Sequence, residues 1–377
     1  MVEIQGLIGY RPISEKIAEV TTPPYDIIEG PLKELCKARY YSLYHVILGQ
    51  HPVSAWSRLM PVMQEDNIPS FYRCREERPD GSTRTGFFAA AKIGPDIFDH
   101  EETKKPKVQE RLKLSQTTGY SFGPVLTLTE SDISNVLNKA EKEENQLYEF
   151  VSDFSSFSDL DRILNRVFRI KADSPEGVEL INAIRKNPLF IADGHHRYGA
   201  AVLNSQQYFL TYISEAKTAR IQAYNKVINS TVKFDDIKHK LKNLQEISEF
   251  KTPAKEHQIC IYSNGRTYLW EVRSEAQNSA DLVGSLDASI LEKELYHILE
   301  IPPNSIRKNS DYIDYYPEYK LDEMVELANL GKYDIIVALH PVSVKTVMEI
   351  SRNGKKMPSK STYFDKIPSG IFISLNY

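Results

Sequence analysis

The sequence has few cysteines, no long apolar run and no excess of positive charge. Its three cysteines, Cys36, Cys74 and Cys260, are far apart and odd in number, which fits neither a disulfide framework nor a metal knuckle. No apolar stretch approaches the roughly 20 residues that span a bilayer, and acidic Glu3 stands where a secretory signal would be basic. We therefore expect reduced thiols, no membrane partner and a cytoplasmic protein.

The charge balance argues against nucleic acid as a partner. The chain carries 47 Lys and Arg against 51 Asp and Glu, for a net charge of -4. No dense basic patch interrupts this balance, so no general field attracts a phosphate backbone. We expect a small-molecule ligand instead, and the composition defines no oligomeric state.

With 377 residues, the chain exceeds the roughly 250–300 residues that one core organises, so we expect two lobes. Apolar runs broken by Pro and Gly predict a first lobe rich in strands, with a hairpin at Pro79-Asp80-Gly81. Helical spacing predicts helices and connectors between residues 131 and 169, and a helix from Ser174 carrying Val178, Ile181 and Ile184 on one face.

A second lobe is predicted to follow, with a hairpin at Asn264-Gly265. An amphipathic helix is predicted in "SLDASILEKELYHILEI", and a buried strand in "YDIIVALHPV". The expected fold class is α+β, with a mixed-sheet lobe over residues 1–230 and a smaller α/β lobe over residues 231–377.

The stretch "FIADGHHRYGAA", residues 190–201, is the main candidate site. A strand that ends in Asp193-Gly194 and runs into a helix presents backbone N–H groups and a positive helix end to an anion. Gly194 permits close approach, and Arg197 with one histidine adds groups suited to phosphate. Asp193 could cap the helix, orient a histidine, hold Mg²⁺ or accept a proton from a substrate hydroxyl.

Two other interpretations of this stretch compete with an anion site. Asp193 could be only a cap before solvated residues, although a cap needs no His-His-Arg run. A metal could bind, but His195 and His196 are adjacent on a helix and point about 100° apart, so they do not readily ligate one ion together. The pattern favours a phosphate-binding strand–turn–helix.

Further candidate residues lie in four short stretches. The charge pattern of "FDHEETKKPKVQERLKL" is equally compatible with a solvated helix face and with a site. The stretch "MPSKSTYFDKIPSGI" combines a lysine with hydroxyls but lacks the glycines of a P-loop. The Asp in "TTPPYDII" follows two stiffening prolines, and "IQAYNKVI" reads first as a strand. The candidates are His100, Glu101 and Arg111; Lys360, Ser361 and Thr362; Asp26; and Asn225 and Lys226.

These stretches resemble, in collinear order over nearly the whole chain, the domain of unknown function 1015 family. The motifs are "RP" and "PPYDII", "HEETKKPKVQER", "IADGHHRYGAA", "AYNKVI", "SLDASIL", and "MPSKSTYF" with "SGI". Two positions depart from the family motifs. Glu110 stands where aspartate is more usual beside Arg111, and Lys226 stands where arginine is usual. A lysine cannot bind phosphate through two parallel hydrogen bonds as an arginine can.

The Asp-Gly-His-His-Arg turn is also similar, over about a dozen residues, to the phosphate-binding turn of the ParB and sulfiredoxin superfamily, which includes a ParB-like free serine kinase. That resemblance implies a ParB-like α+β lobe and a nucleotide-phosphate site at residues 194–197. The catalytic glutamate of the kinase maps onto no single residue, and Asp26 and Glu101 are the candidates for its role.

Three hypotheses for function follow from these residues. The first is a phosphotransferase, and its specific form is a kinase for serine or a similar hydroxyl metabolite that uses ATP or ADP with Mg²⁺. In it, Gly194 to Arg197 cradle phosphates, and Asp193 or His195 handles the proton or the ion. Lys360, Ser361 and Thr362 close the site. The second is a hydrolase with a metal on His100, Glu101 and His195. The third is a noncatalytic nucleotide-sensing or nucleic-acid-binding module.

Overall fold

The computed structural model describes residues 1–272, 281–302 and 312–376, which form two compact units. The first unit comprises Met1–Asp99, Thr103–Ala219 and the chain from Lys366 onward; the second comprises His100–Glu102 and Arg220–Asp365. These units differ from the expected lobes at residues 100–102, at residues 220–230 and at the C-terminal segment. The C-terminal segment belongs to the first unit because its strand, the last of the chain, pairs within the sheet of that unit.

The strands follow one another in this order. They are β1 Ile4–Gln5, β2 Leu7–Pro12, β3 Met63–Glu77, β4 Thr83–Lys92, β5 Ile97–Phe98, β6 Tyr120–Ser121, β7 Val125–Thr129, β8 Gln146–Val151, β9 Leu164–Lys171, β10 Leu189–Asp193, β11 Tyr208–Glu215, β12 Ile221–Gln222, β13 Tyr224–Ile228, β14 Leu244–Ile247, β15 Gln258–Ser263, β16 Arg266–Glu271, β17 Ile313–Pro317, β18 Ile335–Leu339, β19 Tyr363–Phe364 and β20 Ile373–Leu375.

The α-helices are mostly short. They are α1 Ile17–Val20, α2 Gly30–Ala38, α3 Tyr44–Ile47, α4 Pro52–Leu59, α5 Lys105–Thr118, α6 Ser134–Lys139, α7 Pro175–Ile184, α8 His195–Leu203, α9 Phe234–Ile237, α10 Asp287–Ile290, α11 Leu321–Asn329 and α12 Val344–Arg352. No helix in the described ranges is both long and apolar enough to cross a membrane.

The first unit is built on a mixed sheet with the order β5-β10-β7-β11-β4-β3-β2-β20-β6. β10 pairs in parallel with β5, and β11 with β7, whereas the other neighbours are antiparallel. β3 and β4 form the hairpin predicted at Asp80-Gly81, and Phe71 packs edge-on against Phe87 with ring centroids 5.7 Å apart. The predicted mixed sheet is confirmed.

The second unit is built on an antiparallel sheet with the order β14-β16-β15-β18-β13-β17. The Asn264-Gly265 hairpin is confirmed, since both residues have a positive φ, of 51° and 76°, and Ser263 pairs with Arg266. The buried strand predicted in "YDIIVALHPV" is β18, and Ile259, Trp270 and other apolar residues form this unit's core.

Three local predictions need correction. Residues 146–151 and 164–171 are strands rather than helices, because β9 pairs with β8 on one side and along the long β3 on the other. Helix α7 has its predicted cap, Ser174, but Val178 is 47% exposed while Leu180 and Ile184 are buried. The helix predicted in "SLDASIL" changes from α10 to a wider π-helical turn over 291–296.

A buried ion pair joins β3 to β4 in the first unit. Arg84 Nε donates to Glu76 Oε2 over 2.7 Å, and both side chains are at most 5% exposed. A second guanidinium nitrogen of Arg84 donates to the backbone carbonyl of Lys366 over 2.6 Å. The pair therefore also anchors the start of the C-terminal segment.

We predict that Glu76→Gln lowers the free energy of unfolding by about 3–5 kcal/mol, since it breaks a buried ion pair by removing its carboxylate. The matched control is Glu149→Gln, which breaks the exposed pair with Arg166 and should cost about 1 kcal/mol or less. Urea unfolding of the two variants checks this. Equal losses for both would contradict the prediction.

Candidate functional site

The candidate site forms where β10 leads into α8. The strand ends at Asp193, Gly194 adopts φ +94°, and α8 begins at His195. Only glycine adopts this left-handed backbone without strain. No side chain caps the helix, so Asp193 does not have the capping role considered for it.

Asp193 instead belongs to a buried cluster of charges, the Lys366 cluster, formed by Asp26, Asp193, Arg197 and Lys366. Lys366 Nζ lies 2.5 Å from Asp193 Oδ1 and 2.9 Å from Asp26 Oδ2. Arg197 donates to the other oxygen of Asp193 over 2.6 Å. The lysine side chain is only 8% exposed, so its charge is balanced within the protein rather than by water.

Asp26 and Lys366 stay charged at neutral pH. Burial would raise the pKa of Asp26, but the charges of Lys366 and Arg197 outweigh it and hold that pKa well below its usual range. Burial likewise acts to lower the pKa of Lys366, and the two carboxylates raise it well above its usual value. The stabilisation from Asp26 is therefore present above about pH 4 and is lost in acid.

The guanidinium of Arg197 is held against two glycines. A Cβ at Gly194 would lie 3.0 Å from its Nε and Nη2 atoms, and one at Gly123 would lie 3.3 Å from Nη1 and 2.7 Å from Ser369 Oγ. Arg197 also donates to the carbonyl of Pro124. Its Nε is buried and has no hydrogen-bond partner within the described part of the chain.

A second arginine, Arg111 of α5, lines a cavity together with Arg197. The cavity measures about 70 Å³, several times the roughly 10–15 Å³ that admits one water. Arg111 donates to the carbonyl of Ile47 over 3.0 Å and lies 4.1 Å from the ring centroid of Tyr25. Its Nε is also buried without a hydrogen-bond partner among the described residues. The remaining wall includes Ser115, Ser121, Phe122, Gly123 and Gln206.

The two histidines of the motif have different environments. His195 is 5% exposed. His196 Nε2 accepts a hydrogen bond from the backbone N–H of Lys104, the residue before α5, over 3.1 Å. Burial and then the charge of Lys107 lower the pKa of His196 to about 4, so at neutral pH it provides hydrogen bonds and no charge.

The other predicted site residues lie in the second unit. His100 is 2% exposed, its Nε2 lies 3.4 Å from Thr362 Oγ1, and its carbonyl accepts from the N–H of Met357. Glu101 pairs with Met357 in an isolated parallel bridge. Ser361 donates to the carbonyl of Pro358. The predicted roles of these residues, including closure of a phosphate site, stay predictions.

Lys226 and Asn225 lie on β13 of the second unit. Lys226 Nζ donates to the carbonyls of Tyr224 and Lys360, over 2.9 and 2.7 Å. Asn225 Oδ1 accepts from the N–H of Leu339 over 3.1 Å, while its Nδ2 is buried without a partner in the described chain. Asn225 thus joins neighbouring strands β13 and β18.

The Lys366 cluster includes a residue that sequence reasoning missed. Lys366 lies between Asp365 and Ile367 in "FDKIPSG". The candidate lysine of the same stretch, Lys360, lies six residues earlier beside the hydroxyls of Ser361 and Thr362. Tyr25, next to Asp26, was missed as well. The signal available for Tyr25 was its place in the family motif "PPYDII", whereas Lys366 lies between the motifs "MPSKSTYF" and "SGI". Nothing local showed which partner each would meet.

A metal site of three protein ligands is not found. Across residues 1–272, 281–302 and 312–376, no three or more His, Cys, Asp or Glu side chains are grouped to hold a metal ion. The set predicted for the hydrolase, His100, Glu101 and His195, is therefore not such a group. The hydrolase hypothesis has no metal site in this part of the chain.

Residues 4–289 match the family described as Protein of unknown function (DUF1015). The chain belongs to this family, as the motifs predicted. No curated protein matches it.

Several solved structures are similar at low identity. Free serine kinase in complex with AMP is 12% identical, with a TM-score of 0.37, over 73% of this chain and 89% of that one. SbnI with a C-terminal truncation, from Staphylococcus aureus, is 10% identical, with a TM-score of 0.42, over 76% and 87% of the two chains. A conserved hypothetical protein from Pyrococcus furiosus is 12% identical, with a TM-score of 0.35, over 73% and 92%.

The lowered pKa of His196 predicts a pH dependence of stability. Because the folded state disfavours the charged imidazole, the unfolded state binds more protons between about pH 6.5 and pH 4. The stabilisation is complete above about pH 6.5 and is lost as the pH falls to about 4. Urea unfolding across this range should show a steeper loss in wild type than in His196→Gln, which does not titrate. His51→Gln, at an exposed position, should behave as wild type; a parallel loss in His196→Gln and wild type would contradict the assignment.

Proposed function

We propose that the first unit binds the phosphate groups of a nucleotide or phosphorylated metabolite, and that the protein is a small-molecule phosphotransferase. The observation that carries the proposal is that Arg111 and Arg197 line one cavity, with Arg197 in the first turn of α8. Arginine matches the geometry of phosphate, and a helix start adds N–H groups and a positive dipole end.

The buried Nε groups of both arginines support an anionic ligand. A buried donor that lacks a partner costs about 1–3 kcal/mol, and each arginine has one such Nε among the described residues. Both Nε atoms are buried, so a phosphate in the cavity would satisfy them only after the guanidinium groups turned toward it. The cavity of about 70 Å³ has room for one small anion and not for a whole nucleotide, so the sugar and base would lie outside it.

The Lys366 cluster supports transfer rather than binding alone. Phosphoryl transfer is catalysed mainly by positioning and by fixed charges that meet the charge of the transferring group. Lys366 and Arg197 are such charges, and the carboxylates hold them in place. Because the cations are already oriented, the protein does not reorganise to meet the transition state.

Asp26 is the residue that we propose to orient the accepting hydroxyl. Its side chain is 29% exposed against 17% for Asp193, and only its Oδ2 is bonded by Lys366. Its low pKa keeps it ionised, so it would accept a hydrogen bond from the hydroxyl and take the proton late in the reaction. Serine or a similar hydroxyl metabolite is the substrate class, with ATP or ADP as the nucleotide.

The same carboxylates are not arranged as a magnesium site. Carboxylate oxygens are suitable ligands for Mg²⁺, but the ammonium of Lys366 lies against Asp26 and Asp193. These residues therefore do not fit a resident ion, and no step depends on one. Mg²⁺ would enter, if used, with the nucleotide phosphates.

Thermal unfolding with AMP, ADP and ATP, each with and without Mg²⁺, tests phosphate binding. A nucleotide at about a hundred times its dissociation constant should stabilise the wild type by about 2.7 kcal/mol. Arg111→Gln and Arg197→Gln should lose this shift, measured against each variant's own ligand-free unfolding. Arg166→Gln, which removes a partly exposed arginine, should keep it.

The outcomes separate two functions. Formation of ADP from ATP, or of AMP from ADP, that depends on serine or another hydroxyl compound, and that falls in Asp26→Asn, supports the phosphotransferase. Nucleotide binding without turnover would support the noncatalytic nucleotide-sensing module. The proposal is wrong if no nucleotide shifts the wild type, or if the two arginine variants respond as wild type does.

A further inference from the structure

The second unit contains a pair of lysines on shared aromatic rings, the lysine–tyrosine cluster: Lys226, Lys360, Tyr224 and Tyr315. Lys226 Nζ lies 4.6 Å from the ring centroid of Tyr315, and Lys360 Nζ lies 4.8 Å from the same centroid. Both ammonium groups also lie within 5.6 Å of the centroid of Tyr224. Two cations therefore share the same two rings.

Lys226 has only neutral hydrogen-bond acceptors. Its side chain is buried, with the residue 4% exposed, and its two acceptors are the backbone carbonyls of Tyr224 and Lys360. No carboxylate pairs with it in the described part of the chain. Buried charges in proteins are normally paired. The charge of Glu292 acts on Lys226, but no carboxylate of the described residues is bonded to it, as two are to Lys366 in the first unit.

The electrostatics of Lys226 follow from this arrangement. Burial and then the charge of Lys360 lower the pKa of Lys226 to about 7, although the charge of Glu292 acts the other way. Burial raises the pKa of Tyr315 to about 12, so that ring stays neutral. Lys226 therefore loses its proton near neutral pH. A nearby anion would favour its charged form and raise this pKa.

We propose that the second unit carries a binding site of its own for a phosphate group, formed by Lys226 and Lys360 beside the rings of Tyr224 and Tyr315. The anion would supply a counter-charge in direct contact with Lys226, and the half-buried Lys360 gives the site access to solvent. The proposal goes beyond the proposed function, because it uses no residue of the first unit.

A purely structural role for Lys226 makes a different prediction. Lys226 could serve only to hold the backbone of Lys360, which has a positive φ of 58°. In that case its titration would not respond to the kind of anion present. A bound phosphate group would instead shift the titration toward higher pH.

The test follows the lysine ¹³Cε resonances of the full chain between pH 5 and pH 10. Sulfate is the probe, because it keeps its double charge over this range, and chloride at equal ionic strength is the reference. The resonance lost in Lys226→Met identifies Lys226. Its midpoint, near pH 7 in chloride, should rise by roughly one unit or more in sulfate, as expected for an opposite charge within about 4–6 Å.

Two variants make the result specific. Lys360→Met should raise the midpoint in chloride and remove most of the sulfate effect, and Arg197→Gln should leave the effect intact, since that residue belongs to the first unit. Inorganic phosphate should shift the midpoint as sulfate does. Acetate tests whether a carboxylate is enough to cause the shift. A larger shift with acetate than with phosphate would overturn the assignment to phosphate. The proposal is also wrong if the midpoints in sulfate and chloride are equal. It is wrong as well if Lys360→Met keeps the sulfate effect or if Arg197→Gln removes it.

Discussion

The first unit depends on the ammonium of Lys366 lying between the carboxylates of Asp26 and Asp193. Taking an ammonium out of water costs several kcal/mol, and only close opposite charges repay this cost. The three residues come from the N-terminal segment, the β10–α8 turn and the C-terminal segment. Their mutual compensation therefore requires that all three segments meet.

The same constraint explains why the C-terminal segment folds with the first unit. Just after Lys366, Thr22 and Ser369 exchange backbone hydrogen bonds, and β20 then inserts between β2 and β6. The segment thus carries the central cation of the Lys366 cluster and a strand of the sheet. Asp193, fixed by Lys366, in turn holds Arg197.

Local chemistry made part of this fold predictable from sequence. Asn264-Gly265 and Asp80-Gly81 define turns by their backbone preferences, and Gly194 between an apolar strand and a small-residue helix defines the strand–turn–helix. By contrast, β9 reads as a helix in isolation and becomes a strand because β3 pairs with it. The partner of Asp193 is 173 positions away along the chain, a separation that no local pattern encodes.

The two units handle buried positive charge differently. In the first, Arg197 and Lys366 are neutralised by two aspartates, and Arg197 lines a small cavity with Arg111. In the second, Lys226 is left with carbonyls and rings, and a neighbouring lysine disfavours its charge. Arginine stays charged when buried, whereas lysine readily gives up its proton. The candidate residues of the sequence therefore belong to two chemically distinct groups.

A crystal structure with ADP tests the central claim, phosphate recognition in the cavity of Arg111 and Arg197, most directly. The account predicts a phosphate oxygen within hydrogen-bonding distance of both guanidinium groups, with the adenosine outside the cavity. Phosphates bound elsewhere in the first unit, with the Nε groups of both arginines still unpaired, would contradict it.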